Sequence, residues 1–159
     1  SGVGRRFEVL GDCRVDQHQI LLIDDYGHHP TEVRATIEAV RDGWPERRLV
    51  MVYQPHRYSR TAALFEEFVA ALSEVDVLLI SNVYAAGEEV VLGAEGQDLY
   101  LALQSRGIGS LIWLPDLEAA SVTLESLIQD GDVVLTQGAG DTAKLARSLA
   151  DLWQLGDTA

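Results

Sequence analysis

The stretch Ile20-Leu21-Leu22-Ile23-Asp24-Asp25-Tyr26-Gly27-His28-His29-Pro30-Thr31-Glu32 decides how this chain is read. Four consecutive apolar residues fit a strand covered on both faces, as in a parallel sheet. Pro30 suits the first turn of a helix, where its missing N–H costs nothing. Glu32 falls where an acidic side chain favours a helix N-terminus. Between strand and helix lie two carboxylates, a phenol and two imidazoles. A loop that only connects has no need of so much titratable chemistry. In open α/β sheets ligands bind outside the carboxyl ends of the strands, so this loop is read as the first wall of a site.

The rest of the chain repeats the theme. Upstream, residues 7–10 read as a short strand, Gly11-Asp12 as a turn, and the polar run 14–19 as part of a hairpin leading into Ile20. Downstream, Val33, Ile37 and Val40 recur at helical spacing, and Gly43 with Trp44-Pro45 ends that helix. Leu49-Val50-Met51-Val52-Tyr53 is a second buried strand, followed by the loop 54–61. Leu64, Phe65, Phe68, Val69 and Leu72 predict one amphipathic helix that begins near Ser59. Further strands are expected at 77–80, 111–114 and 132–136, and helices at 98–105, 117–128 and 142–152. Asp141 is expected to cap the last of these, and 85–96 reads as an excursion loop. The alternation predicts a doubly wound, Rossmann-like α/β fold: a mostly parallel sheet of about six strands with helices on both faces. The domain is expected to span 7–153, after a lead-in at 1–6 and before a frayed tail at 154–159.

Composition narrows the function. At 159 residues the chain is one domain, and 47% apolar with 23% charged residues is ordinary for a globular protein. No apolar run approaches the roughly 18 residues of a membrane span, and no signal peptide is visible. Cys13 is the sole cysteine, which excludes an internal disulfide and fits a cytoplasmic setting. A formal charge of −13 argues against nucleic acid as a partner. Anionic small ligands stay open, because positive charge is concentrated: His28, His29 and His56 are three of the 4 histidines, and Arg57 and Arg60 lie beside the third.

A parallel sheet brings the loops after its strands to one edge. Residues 24–29, 54–60, 82–84 and 137–140 should therefore share a rim. Arg57 and Arg60 suit bidentate capture of a carboxylate or phosphate; alternatively they are solvated surface charges. Asp24 and Asp25 could contact a ribose hydroxyl or a metal-bound water, or serve as cap or loop hydrogen-bond acceptors. Three histidines invite a zinc reading, but neighbouring imidazoles rarely converge on one metal and no fourth ligand suggests itself. Donation from imidazole to an anionic or carbonyl oxygen suits them better. Gly138-Ala139-Gly140-Asp141-Thr142-Ala143 matches the dinucleotide pattern G-x-G-x-x-A, yet it follows the last strand, so no second half-fold completes it. The glycines hold an anion through backbone N–H groups or make a tight turn. The chain contains neither a P-loop nor a G-x-S-x-G elbow.

Four motifs in order carry a more specific resemblance: Asp24-Asp25-Tyr26-Gly27-His28-His29-Pro30-Thr31-Glu32, Gln54-Pro55-His56-Arg57-Tyr58-Ser59-Arg60-Thr61, Val83-Tyr84-Ala85-Ala86-Gly87-Glu88 and Thr136-Gln137-Gly138-Ala139-Gly140. With them the chain resembles the C-terminal domain of the Mur ligase family, in the pattern of the member that uses L-alanine. Gly4-Arg5-Arg6-Phe7 resembles the segment entering that domain. The resemblance implies an ATP- and magnesium-dependent, amide-forming step of peptidoglycan synthesis that joins L-alanine to UDP-N-acetylmuramate through an acyl phosphate. ATP and magnesium would be held mainly by a central domain outside this chain, so the missing P-loop is expected and no catalytic residue is assigned here. The resemblance assigns Asp25 to the nucleotide; Tyr26 and His28 to the muramoyl or alanyl end, with His29 a further substrate-binding residue; and His56, Arg57 and Arg60 to the carboxylate of L-alanine. Asp24, Gln137, Gly138, Ala139 and Gly140 complete the rim. The short polar stretch 14–19 departs from the pattern and touches only the hairpin. A free-standing acidic α/β module that binds a nucleotide or a partner protein is the alternative.

Overall fold

The computed structural model describes residues 6–155, so of the expected lead-in only Arg6, and of the expected tail only Gln154 and Leu155, can be placed. The elements run β1 (Glu8–Val15), β2 (His18–Asp25), α1 (Pro30–Gly43), β3 (Leu49–Tyr53), α2 (Tyr58–Ala63), α3 (Phe65–Leu72), β4 (Val77–Ile80), α4 (Gly96–Ser105), β5 (Ser110–Trp113), a 3-10 turn (Leu117–Ala119), α5 (Ala120–Leu127), β6 (Val133–Gln137) and α6 (Thr142–Leu152). The six strands form one sheet in the order β1-β2-β6-β3-β4-β5. Only β1 runs antiparallel to its neighbour; β2, β6, β3, β4 and β5 are parallel. This is the mostly parallel, Rossmann-like α/β sheet that the alternating pattern predicts.

Side-chain alternation divides the core. Leu21, Ile23, Met51, Tyr53, Leu78, Ile80 and Leu135 pack on one face with Ile37 of α1, Phe68 of α3 and Leu99 of α4. Ile20, Leu22, Val50, Val52, Leu79 and Val134 pack on the other with Leu124 of α5 and Leu145 and Leu149 of α6. The helices thus change face after β5, and β6 returns to the middle of the sheet between β2 and β3. The polar loops after β2, β6 and β3 are therefore neighbours, although β6 follows β2 by more than a hundred residues.

The same alternation fixes the fate of the aspartate pair. Asp24 continues the Ile20–Leu22 side and its carboxylate accepts the Thr136 hydroxyl at 2.7 Å. Asp25 continues the Leu21–Ile23 side. Register pairs it with Gln137, and Gln137 with Tyr53, so three polar residues form the last rung of that face.

Three local expectations change. Gly11, read as a turn, lies inside β1 with φ +132 at a register shift between Val9 and Gly11. A positive-φ glycine fits a bulge as well as a turn; the chain reverses instead at Asp16, φ 53. The helix expected from Ser59 onward is two helices, broken at Leu64 (φ −121, ψ 26). Asp141 is the N-cap residue of α6 but its side chain makes no capping bond; the Asp141 N–H donates instead to Gln54 Oε1 at 2.8 Å.

The amino edge of the sheet is closed by charge. Arg48 grips the buried Asp132 with two bonds, Nε to Oδ1 at 3.0 Å and Nη2 to Oδ2 at 2.8 Å. Arg41 Nη1 meets Asp76 Oδ2 at 2.8 Å, and the same oxygen accepts the Leu49 N–H at 2.8 Å.

Candidate functional site

The loop after β2 is shaped from beneath by Asp25, which is 1% exposed. Its Oδ1 accepts the Phe7 N–H at 2.6 Å. Its Oδ2 accepts the Gly27 N–H at 2.8 Å, the Thr36 hydroxyl at 2.9 Å and Gln137 Nε2 at 2.7 Å. Four donors saturate the carboxylate, and a Cβ on Gly27 would fall 2.7 Å from Oδ2. Only glycine lets the chain lie this close to a buried acid. Of the two roles open to Asp25, the loop hydrogen bond is the one its geometry performs; it presents no free edge to a nucleotide. No group of three or more His, Cys, Asp or Glu side chains placed to hold a metal ion exists among the described residues. Asp25, its carboxylate taken by four donors, does not fit a ribose as it stands.

Glu32 and His29 form the start of α1. His29 Nδ1 accepts the Thr31 N–H at 3.1 Å, while Glu32 Oε1 accepts the N–H groups of His28 at 3.0 Å and His29 at 3.1 Å. This reciprocal capping box gives His29 a structural task, and its side chain is committed to the helix end. Burial opposes ionisation of Glu32, but those two N–H groups, with Arg6 and His28 nearby, hold its carboxyl down to about 2. His28 is left half-buried at the rim, edge-on to Tyr26 with ring centroids 5.3 Å apart.

The loop after β3 meets the loop after β4 as a short zipper. The Tyr84 N–H donates to Pro55 O and the Arg57 N–H to Tyr84 O, each at 2.8 Å. Between them the rings of His56 and Tyr84 stack at 5.4 Å with a 7° tilt. The zipper holds Arg57 at φ 74, ψ 132, a left-handed conformation that costs a non-glycine residue on the order of 1–3 kcal/mol. Its guanidinium reaches outward, half-exposed, with Glu88 at 3.9 Å.

His56 and Arg60 sit one helical turn apart. Arg60 Nη1 lies 2.9 Å from His56 O and 3.1 Å from His56 Nδ1. Arginine can only donate, so Nδ1 accepts and the neutral ring carries its proton on Nε2. Burial, then Arg60, His28 and Arg57, push the His56 pKa below 6.5, which keeps the ring neutral. His28 and His56 come within 6.0 Å, although they derive from different strands.

The glycine-rich turn completes the rim. The Gly138 N–H donates to Asp25 O at 3.1 Å, and a Cβ on Gly140 would meet Gln54 Oε1 at 2.6 Å and the Tyr84 ring at 2.7 Å. Gly140 is therefore a close-approach position that locks the turn to both neighbouring loops. At the last rung, Gln137 Oε1 and Tyr53 Oη are buried without a hydrogen-bond partner among the described residues. A cleft of about 570 Å³ opens at one end of this rim, lined by Gln54, Asn82 and Val83 together with Lys144 and Leu145 of α6.

The structure thus gathers Tyr26, His28, His56, Arg57 and Arg60 at the carboxyl edge, with Gly138, Ala139 and Gly140 beside them. It draws Asp24, Asp25 and Gln137 beneath that edge and commits His29 to α1. Glu88 closes the motif at 83–88, but the sequence reading gives it no role. Its carboxylate accepts the Ser59 N–H at 3.0 Å and the Ser59 hydroxyl at 2.5 Å. Nothing local marks it, since its partners lie 29 residues away.

Comparison with known proteins agrees with this architecture. A UDP-N-acetylmuramate–alanine ligase from Thermotoga maritima superposes with a TM-score of 0.71 at 24% identity, covering 94% of this chain and 30% of the ligase. A crystallised domain ascribed to a UDP-N-acetylmuramate:L-alanyl-γ-D-glutamyl-meso-diaminopimelate ligase of Haemophilus ducreyi gives 0.66 at 20% identity, covering 93% of this chain and 99% of that one. A bifunctional folylpolyglutamate/dihydrofolate synthase of Yersinia pestis, solved with AMPPNP and a manganese ion, gives 0.59 at 22% identity over 93% of this chain and 31% of its own. The chain thus spans less than a third of the full-length ligases it matches. The sequence profile of the Mur ligase family's glutamate ligase domain matches residues 5–140, and the chain belongs to that family.

Proposed function

We propose that this chain is the amino-acid-binding, closing domain of an ATP-dependent ligase of peptidoglycan synthesis that joins L-alanine to UDP-N-acetylmuramate. The supporting observation is the convergence of His56, Arg57 and Arg60 with His28 on one open rim, within a chain of net charge −13. Arg57 and Arg60 would clamp the amino acid's carboxylate, and neutral His56, held by Arg60, would offer Nε2–H as a further donor. Tyr26 and His28 would face the muramoyl end. Asp25, Gln137 and Gly27 would support these groups from below, and Gly138 to Gly140 would keep the turn close enough for a small amino acid to lie across it. Such an arrangement contributes orientation: it fixes the amine while closure excludes water. Half-exposed arginines suit a surface completed by another domain. Nucleotide and metal chemistry would come from the rest of the longer protein.

The test is a phosphate-release assay of the natural full-length protein with ATP, magnesium and UDP-N-acetylmuramate and, in turn, L-alanine, the tripeptide L-alanyl-γ-D-glutamyl-meso-diaminopimelate, and a folate with L-glutamate. Turnover with L-alanine alone is expected. Turnover with the tripeptide or with folate and glutamate would replace this reading by that of another ligase of the same fold.

A further inference from the structure

We propose that Glu88 is a positioning residue for the arginine pair, acting from a different loop to cap α2 and fix where Arg57 and Arg60 present their guanidinium groups. The inference rests on reading the rim as a carboxylate clamp, and its geometric basis is independent of any ligand. Arg57, the N-cap residue of α2, makes no side-chain capping bond and cannot adopt ordinary cap geometry at φ 74. The first-turn N–H groups of α2 therefore need another acceptor. Glu88 supplies it with both carboxylate oxygens: Oε1 to the Ser59 N–H and Oε2 to the Ser59 hydroxyl.

These bonds extend the zipper. Tyr84 N–H to Pro55 O, Arg57 N–H to Tyr84 O and Ser59 N–H to Glu88 are successive rungs between residues 55–59 and 84–88. Arg57 makes the second rung itself and the third follows two residues later, so the strained backbone that aims its side chain is restrained at both ends. Arg60, one turn along the same helix, inherits that placement. Glu88 itself lies 3.9 Å from Arg57 Nη1, near enough to orient the guanidinium but too far for a hydrogen bond that would neutralise it. The loop carrying Glu88 is closed locally into a turn, the Glu88 N–H donating to Ala85 O at 3.0 Å. Because Glu88 occupies the start of α2, the anion site of the rim is made by side chains and not by that helix end.

The test uses the ¹⁵N-labelled chain as wild type, Glu88→Gln and Glu88→Ala; the crystallised Haemophilus ducreyi domain shows that this unit folds apart from the rest of its ligase. Without ligand, the Tyr58 and Ser59 amide protons should follow one carboxylate ionisation in the wild type and lose that step in both variants. With L-alanine, Glu88→Ala should weaken binding about tenfold, the size expected for losing one charge-assisted hydrogen-bonding partner. Glu88→Gln keeps an acceptor for the Ser59 N–H and should recover affinity to within about threefold. Identical Tyr58 and Ser59 pH profiles in wild type and Glu88→Ala would overturn the proposal, as would unchanged L-alanine affinity in Glu88→Ala. If the wild type ignores L-alanine, the clamp reading fails, while the ligand-free titration still decides whether Glu88 caps α2.

Discussion

The two edges of the sheet use arginine in opposite ways. At the amino edge Arg48 forms two bonds to Asp132 at 3.0 and 2.8 Å, and Arg41 meets Asp76 at 2.8 Å. At the carboxyl edge Arg57 has its acid at 3.9 Å, and Arg60 is held by a backbone carbonyl and a neutral imidazole. The acids near that rim are occupied by backbone donors: Asp25 by Phe7 and Gly27, Glu32 by His28 and His29, Glu88 by Ser59. At this edge Arg57 and Arg60 thus have no carboxylate within hydrogen-bond distance among the described residues, Arg57 facing Glu88 at 3.9 Å. The amino edge pairs its arginines with acids that close the fold, and the carboxyl edge holds Arg60 with a carbonyl and an imidazole and leaves Arg57 half-exposed.

The comparison can be broken at the amino edge first. Arg48→Ala strands a carboxylate that is 1% exposed. The expected loss is about 3 kcal/mol, at the low end for breaking a buried pair because Arg48 keeps 27% of its side-chain surface in solvent. Thermal unfolding should show a fall of roughly 10 °C, with ligand affinity untouched. Next, Asp25→Asn places an amide donor against four donors and should cost about 2–3 kcal/mol, measured by urea unfolding. Its effect belongs with stability although the residue lies beneath the rim.

At the carboxyl edge the balance reverses. Arg57→Ala should weaken L-alanine binding by about 1.5–3 kcal/mol, read by calorimetry. Arg57→Gly should lose the same affinity yet stabilise the fold by about 0.5–1 kcal/mol, because glycine relieves the left-handed strain at some entropic cost. A destabilised Arg57→Gly would mean that the side chain serves the fold and not a ligand.

The smallest effect is a pH dependence. The folded state depresses the His56 pKa below 6.5, so in that window the unfolded chain binds more protons. The contribution of His56 to stability is complete above about pH 6.5 and declines as pH falls from there toward its folded pKa. The difference in unfolding free energy between wild type and His56→Gln, followed from pH 7.5 to 5, should show this slope.

Much of this contrast was legible in the chain. Strand ends carrying Asp24 to His29, Gln54 to Arg60 and Gln137 to Gly140 follow apolar runs, and parallel topology alone sends them to one edge. What the chain did not reveal was direction. Period-2 alternation places Asp25 on the α1 face, but its full satisfaction depends on Phe7, Thr36 and Gln137, which are distant in sequence. His29 reads as a ligand because it is an imidazole in a polar loop; its place just before Pro30 marks it equally as a cap. Leu64 breaks a helix whose apolar periodicity runs through it, and Asp141 stands at the N-cap of α6 without capping it while its N–H is taken by Gln54. Glu88 shows the same limit, since a carboxylate in a glycine-rich loop carries no sign that its partner is Ser59.

The most direct test of the central claim is an NMR titration of the ¹⁵N-labelled domain with L-alanine, following the arginine side-chain Nε–H signals and the backbone of 26–29 and 56–60. The account predicts saturable shifts at Arg57 and Arg60 that carry into His56 and His28, leave Arg41 and Arg48 unmoved, and vanish in Arg57→Ala. Equal responses at the two edges, or shifts at the rim that persist in Arg57→Ala, would contradict it.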